Sequence, residues 1–267
     1  MVFPVHDANP VHRTPVVTYV LILLNVVIFI AEPVAHAPLL QRADVAQVCE
    51  QEAFFREWAA IPRELTTGEQ LQGPQPTGEV GRDPRTGGLG CVVAPPDYDK
   101  SPFLSVLFSM FLHGGWVHLL GNMLFLLIFG NNVEDRMGRL RFLAFYLLCG
   151  YAATYVFAFV NASSTTTLVG ASGAIAGVLG AYLLLFPRAR VTSLLPFLFF
   201  IPVVLPAWVV LGSWFLLQYL YASGAGVTPG AGVAYLAHVA GFVVGMVLVS
   251  VFARPPRAPR RRAPAPW

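Results

Sequence analysis

Long uncharged apolar runs alternate with short polar breaks along this chain, and the alternation predicts helices of bilayer length. Residues 16–31, 103–129, 140–160, 168–186, 194–220 and 233–252 form six such runs. At ~1.5 Å rise per residue, about 20 residues cross a hydrocarbon core. The longest polar interruption, residues 33–102, follows the first run. Its stretch QLQGPQPTGEVGRDPRTGGLG is rich in Pro and Gly and predicts irregular loop. Its stretch FFREWAAIPREL sets Phe54, Phe55, Trp58 and Ile61 at helical spacing among Arg56, Glu57 and Arg63. That pattern predicts a short amphipathic helix, lying at a membrane interface or packed on the loop itself. Ala35-His36-Ala37 imitates a signal-peptide cleavage site after the first run, but Pro38 directly behind it argues for a retained helix.

Composition sharpens this picture. Of 267 residues, 56% are hydrophobic and only 12% charged, about half the usual soluble value of roughly 25%. The expected fold is an all-α membrane protein with six transmembrane helices. A polar segment covers 1–15, the helical membrane domain covers 16–252, and residues 253–267 form a disordered Arg/Pro-rich tail. The formal charge of +3 matters less than where it lies. Arg136, Arg139 and Arg141 separate runs two and three, Arg188 and Arg190 separate four and five, and five arginines from Arg254 onward follow run six. The connections NASSTTT and ASGAGVTPGAG hold no Lys or Arg. The positive-inside rule then sets both termini in the cytoplasm and the long first loop outside, in the plasma membrane of a bacterial cell. Cys49 and Cys91 would share an oxidising compartment, where a disulfide between them can form. Cys149, in an apolar run, reads as packing.

Ionisable groups in a span are costly and usually functional. Three of the six histidines fall in the runs: His113, His118 and His238. No Asp does, which disfavours an aspartyl dyad and weakens a proton-coupled transporter, and no HExxH is present. Run four, LVGASGAIAGVLGAYLLLF, has the single polar side chain Ser172 in a stripe of Gly and Ala that invites close helix approach. Run two carries HGGWVHLLGN, with His118 and Asn122 four residues apart on one helical face; His113, five before His118, need not share that face. Run six carries HVAGFVVG, in which His238, Gly241 and Gly245 share a face. Packing that glycine ridge on run four would bring the His238 imidazole to the Ser172 hydroxyl. A hydroxyl needs an adjacent base to become a nucleophile. A His/Asn pair can donate hydrogen bonds to a developing oxyanion.

These three motifs, in this order and on these helices, resemble the rhomboid family of intramembrane serine proteases. The resemblance implies Ser172 as nucleophile, His238 as general base, and an oxyanion hole of His118, Asn122 and the Ser172 backbone N–H. It implies a structural role for Glu134 and Gly138 in NNVEDRMG and a lateral gate at run five. It also implies transmembrane protein substrates within the lipid bilayer, with no nucleic acid and no metal or organic cofactor. Two other readings are a catalytically weak relative that binds membrane clients, and a small-solute transporter. The transporter would show inverted repeats, and none is found between the halves of the sequence.

Overall fold

The computed structural model describes residues 3–33, 44–82, 87–195, 201–224 and 233–253. The tail beyond Ala253 and the cleavage-like Ala35-His36-Ala37 lie outside the described residues. Among the described residues three helices are long and apolar enough to cross a membrane: Trp116–Met137, Arg139–Val160 and Tyr235–Phe252. Val16–Ala31 and Ser172–Leu185 are shorter apolar helices.

In chain order the elements are β1 (Phe3–Asp7), α1 (Val16–Ala31), α2 (Val45–Trp58), α3 (Pro62–Thr67), β2 (Gln75–Arg82), β3 (Leu89–Ala94) and α4 (Pro102–Ser109). Then come α5 (Trp116–Phe125), a π-helical stretch (Leu126–Gly130) that runs straight into α6 (Asn131–Met137), and α7 (Arg139–Val160). After them follow α8 (Ser172–Leu185), β4 (Arg190–Leu195), β5 (Ile201–Pro206), α9 (Ala207–Ser223) and α10 (Tyr235–Phe252).

The molecule is built around α8. Every residue from Ala174 to Tyr182 is buried, as expected of a helix that is apolar on all sides. Its neighbours come close because glycines face each other across the contact with α10. A Cβ at Gly241 would stand 2.1 Å from the Gly173 carbonyl oxygen, and one at Gly245 2.0 Å from that of Gly177. A Cβ at Gly177 would meet Cys149 of α7 at 2.5 Å, so the buried Cys149 serves the packing expected of it. Helix α1 has no cap of its own. The Glu134 carboxylate accepts the Val17 and Thr18 N–H groups at 3.0 and 2.7 Å and the Thr18 hydroxyl at 2.8 Å. An acidic group on the unpaired donors of a helix start is favourable twice over, by hydrogen bonding and by the helix dipole. Gly138, at φ 82°, ends α6 and lets α7 begin.

Several sequence expectations need correction. Run 103–129 is not one helix: Ser101 caps the short α4, and α5 starts only at Trp116. His113 therefore precedes the helix, and its angular offset from His118 on a single helix has no meaning. Run 168–186 is helical only from Ser172. Leu168 pairs in β fashion with Ala60, and Gly170 sits at φ 121°, outside the helical region. Run 194–220 begins in a strand, and among its described residues only α9 is helical. Val191, Thr192, Val203 and Val204 favour extended backbone, while Pro202 and Pro206 resist an early helix. Within the polar lead lies an unexpected strand, β1, which pairs with β4 in a sheet of order β1-β4-β5. The Pro/Gly-rich loop folds into the β2-β3 hairpin, tied by Cys49–Cys91 to α2. The amphipathic stretch is two helices, broken at the buried Ala59–Ala60–Ile61. The fold is thus helical with two small antiparallel sheets rather than all-α.

Candidate active site

Ser109 at the end of α4 fixes the approach to Ser172. Its hydroxyl accepts the Ala60 N–H at 2.6 Å, and its carbonyl accepts the Gly170 N–H at 2.8 Å. The Leu168 N–H in turn reaches the Ala60 carbonyl at 2.8 Å. Three segments distant in sequence thereby meet immediately before α8, and Ser172 becomes its first residue. The N–H groups of a helix's first turn have no partner within the helix, so the Ser172 N–H points where a ligand oxygen could accept it.

The glycine contact between α8 and α10 delivers His238 to Ser172. Ser172 Oγ lies 2.7 Å from His238 Nε2. His238 Nδ1 lies 2.8 Å from Gln218 Oε1 of α9, the Trp214 ring stacks on the imidazole at 6.0 Å, and Tyr235 meets it edge-on.

His118 stands across from this pair. Its Nδ1 accepts the Gly114 N–H at 3.3 Å, which leaves the proton of the neutral ring on Nε2. A Cβ at Gly170 would stand 2.7 Å from His118 Nε2 and 3.6 Å from Ser172 Oγ. Both groups therefore border one small space beside Gly170, kept open because that residue has no side chain. Asn122, one turn after His118, is buried, and its Nδ2 has no hydrogen-bond partner among the described residues. His113 is fully buried behind His118, with ring centroids 5.1 Å apart. The Glu32 carboxylate accepts its N–H, and its Nδ1 faces the Phe111 carbonyl at 3.2 Å. Among the described residues, no group of three His, Cys, Asp or Glu side chains is arranged to hold a metal.

Sequence reading passed over Gln218, Ser109 and Glu32. Gln218 is visible there only as an amide in an apolar run; nothing in a single sequence ties it to a histidine 20 positions on. A second overlooked feature lies in the loop beside the site. Lys100 Nζ and Glu64 Oε2 form an ion pair at 2.8 Å, with side chains only 3% and 2% exposed. Burial lowers the Lys100 pKa, while Glu64 pulls it back up.

Comparison with known proteins bears on the same helices. The Rhomboid domain family model matches residues 100–255. RHOMBOID-like protein 4 of Arabidopsis thaliana is 35% identical over 137 residues, 51% of this chain and 31% of the relative. Rhomboid protein 1, mitochondrial, of Saccharomyces cerevisiae is 32% identical over 156 residues, 57% of this chain and 42% of the relative. Presenilin-associated rhomboid-like protein A, mitochondrial, of Danio rerio is 35% identical over 94 residues, 34% of this chain and 24% of the relative. The chain thus spans well under half the length of these curated relatives. Two of the three carry mitochondrial names, so the expected bacterial plasma membrane finds no support among them. A domain match over more than half the chain, falling on the helices that carry His118, Asn122, Ser172 and His238, makes this an integral membrane protein of the rhomboid family.

Proposed function

We propose that the protein is an intramembrane serine endopeptidase that cuts transmembrane segments of other proteins. The observation that carries this reading is the 2.7 Å contact between Ser172 Oγ and His238 Nε2, 66 positions apart in sequence. Ser172 Oγ attacks the scissile carbonyl carbon while its proton passes to His238 Nε2. The resulting oxyanion is held by His118 Nε2–H, the Asn122 amide and the Ser172 N–H. The intermediate collapses, the C–N bond breaks, and His238 returns the proton to the leaving amine. Water then attacks the acyl ester, His238 accepts its proton, and Ser172 recovers it as the acid departs. Removal of one oxyanion donor from such a site costs about 10²–10³ in kcat. A helical substrate must unwind first to expose its carbonyl, which Gly or Pro near the cut makes easier.

In this reading the described helices belong to a bundle of six spans with both termini cytoplasmic and residues 33–102 outside. Substrate enters from the bilayer past α9, whose Trp208, Leu216 and Tyr219 are exposed. No cofactor takes part.

The test is cleavage of a fluorescent transmembrane peptide by purified protein in liposomes, with fluorophosphonate labelling alongside. Wild type is expected to cleave and label, Ser172→Ala to do neither, and His238→Ala to lose cleavage. Undiminished cleavage by Ser172→Ala would remove the activity from this site. A folded wild type that neither cleaves nor labels would favour client binding instead.

A further inference from the structure

We propose that Gln218 is the positioning residue of His238, fixing through one hydrogen bond the tautomer that lets it act as a base. The inference rests on the Ser172–His238 reading above. A neutral imidazole carries its proton on either nitrogen, and only the Nδ1–H form leaves Nε2 free to accept the Ser172 proton. Gln218 Oε1, an acceptor, lies 2.8 Å from His238 Nδ1 and so selects that form. With the amide turned the other way, its NH₂ would donate to Nδ1, the proton would move to Nε2, and Ser172 would lose its base.

The placement has the marks of a built contact. Gln218 is 4% exposed in a helix with no other amide and no charged side chain. A buried amide is costly unless its atoms find partners, and a leucine there would fill the space as well. Trp214 lies one turn earlier on the same face of α9 and stacks on the same ring. One side chain of α9 therefore sets the plane of the imidazole and another its rotation and proton. Among the described residues no carboxylate bonds to His238, so orientation is achieved without a second charge in the membrane domain. The unit is then Ser172–His238–Gln218, with the base held by a helix other than its own.

Two variants separate orientation from packing. Gln218→Met keeps the length and removes the acceptor; Gln218→Glu keeps an oxygen at the same reach. In liposome assays Gln218→Met should lose roughly 10- to 100-fold in kcat, part of what general base catalysis supplies, with KM within about twofold of wild type. Fluorophosphonate labelling of Ser172 should slow in parallel, and Gln218→Glu should restore most of both. Nitrogen NMR of protein labelled at its histidine rings reads the tautomer without reference to turnover. His238 should carry its proton on Nδ1 in wild type and lose that preference in Gln218→Met. Wild-type kcat and labelling in Gln218→Met would overturn the proposal. So would equal losses in both variants with equally lowered melting temperatures, which is what a packing role predicts. If wild type neither cleaves nor labels while the tautomer still follows Gln218, the protease reading fails and the positioning contact stands.

Discussion

Along its α10 side the Ser172 helix meets bare backbone, whereas its N-terminal end adjoins a set of directed polar and covalent fastenings. The α8–α10 contact is steric: Gly241 and Gly245 press on the carbonyls of Gly173 and Gly177 with no side chain between. The loop assembly works through named bonds. Ser109 holds Ala60 and Gly170, Arg56 donates to the Thr165 carbonyl, the Arg63 N–H reaches the Ser164 carbonyl, Lys100 pairs with Glu64, and Cys49 is bonded to Cys91. The first device sets the Ser172–His238 distance and has no soft part that could yield. The second sets the approach to Ser172 and can be taken apart one bond at a time. Damage to the contact should therefore be abrupt, and damage to the loop assembly graded.

Gly245→Ala should produce the largest effect on cleavage. The added methyl stands 2.0 Å from the Gly177 carbonyl, a backbone atom that cannot rotate away, so the helices must part. A misplacement of about 1 Å between reacting groups costs roughly 10²-fold in rate. The overpacking itself should destabilise by about 1–3 kcal/mol. Peptide cleavage and thermal unfolding in detergent measure the two. Gly212→Ala on α9 is the control, since beyond its chain neighbours and its own helix backbone the added Cβ would meet no atom within 4 Å. Wild-type cleavage by Gly245→Ala would mean that the contact has slack, and the contrast would dissolve.

Lys100→Met tests the other side. It leaves the Glu64 carboxylate buried without its counter-charge, a change that costs about 3–5 kcal/mol. Thermal unfolding should drop accordingly, while Ser172 labelling in the protein that stays folded falls by less than the Gly245→Ala loss. Replacing both partners with apolar residues, Lys100→Met with Glu64→Leu, should recover most of the stability. If the double variant is as weak as the single one, the loop depends on the charges themselves and not on filling their space.

This division also explains what the sequence made legible. Small residues at helical spacing are a local signal with a direct steric meaning, so Gly241 and Gly245 announced both the contact and the histidine three positions before it. The loop assembly has no such signal. Ala60, Ser109 and Gly170 meet only in three dimensions, and a Lys–Glu pair 36 positions apart resembles two solvated loop charges. The same holds for Gln218, whose partner lies on another helix. Hydropathy also carried the apolar runs too far. A β-branched strand such as Ile201–Pro206 and a glycine-broken approach such as 168–171 are apolar enough to pass for helix. Backbone pairing with β4 and Ala60 decides otherwise.

The smallest expected effect lies near the C-terminal end of α8, where a polar fastening includes an ionisable group. Asp7 of β1 is 7% exposed, and its Oδ2 accepts the Tyr182 hydroxyl at 2.6 Å and the Asn132 amide at 2.8 Å. Burial raises its pKa above 3.8, against opposing pulls from the Tyr182 hydrogen bond and the His6 charge. The folded protein therefore holds the Asp7 proton more tightly than the unfolded chain does. That contribution to stability is full below pH 3.8 and is lost as the pH rises through the folded value. Asp7→Asn keeps an acceptor for Tyr182 and cannot ionise. Its stability relative to wild type should be lowest in acid and should improve as the pH climbs from about 4 towards 7, by an amount on the scale of one hydrogen bond, about 1 kcal/mol. Paired unfolding curves at several pH values measure this. A relative stability that instead falls with rising pH would mean that the ionised Asp7 is favoured in the fold. This fastening would then work by charge and not in spite of it.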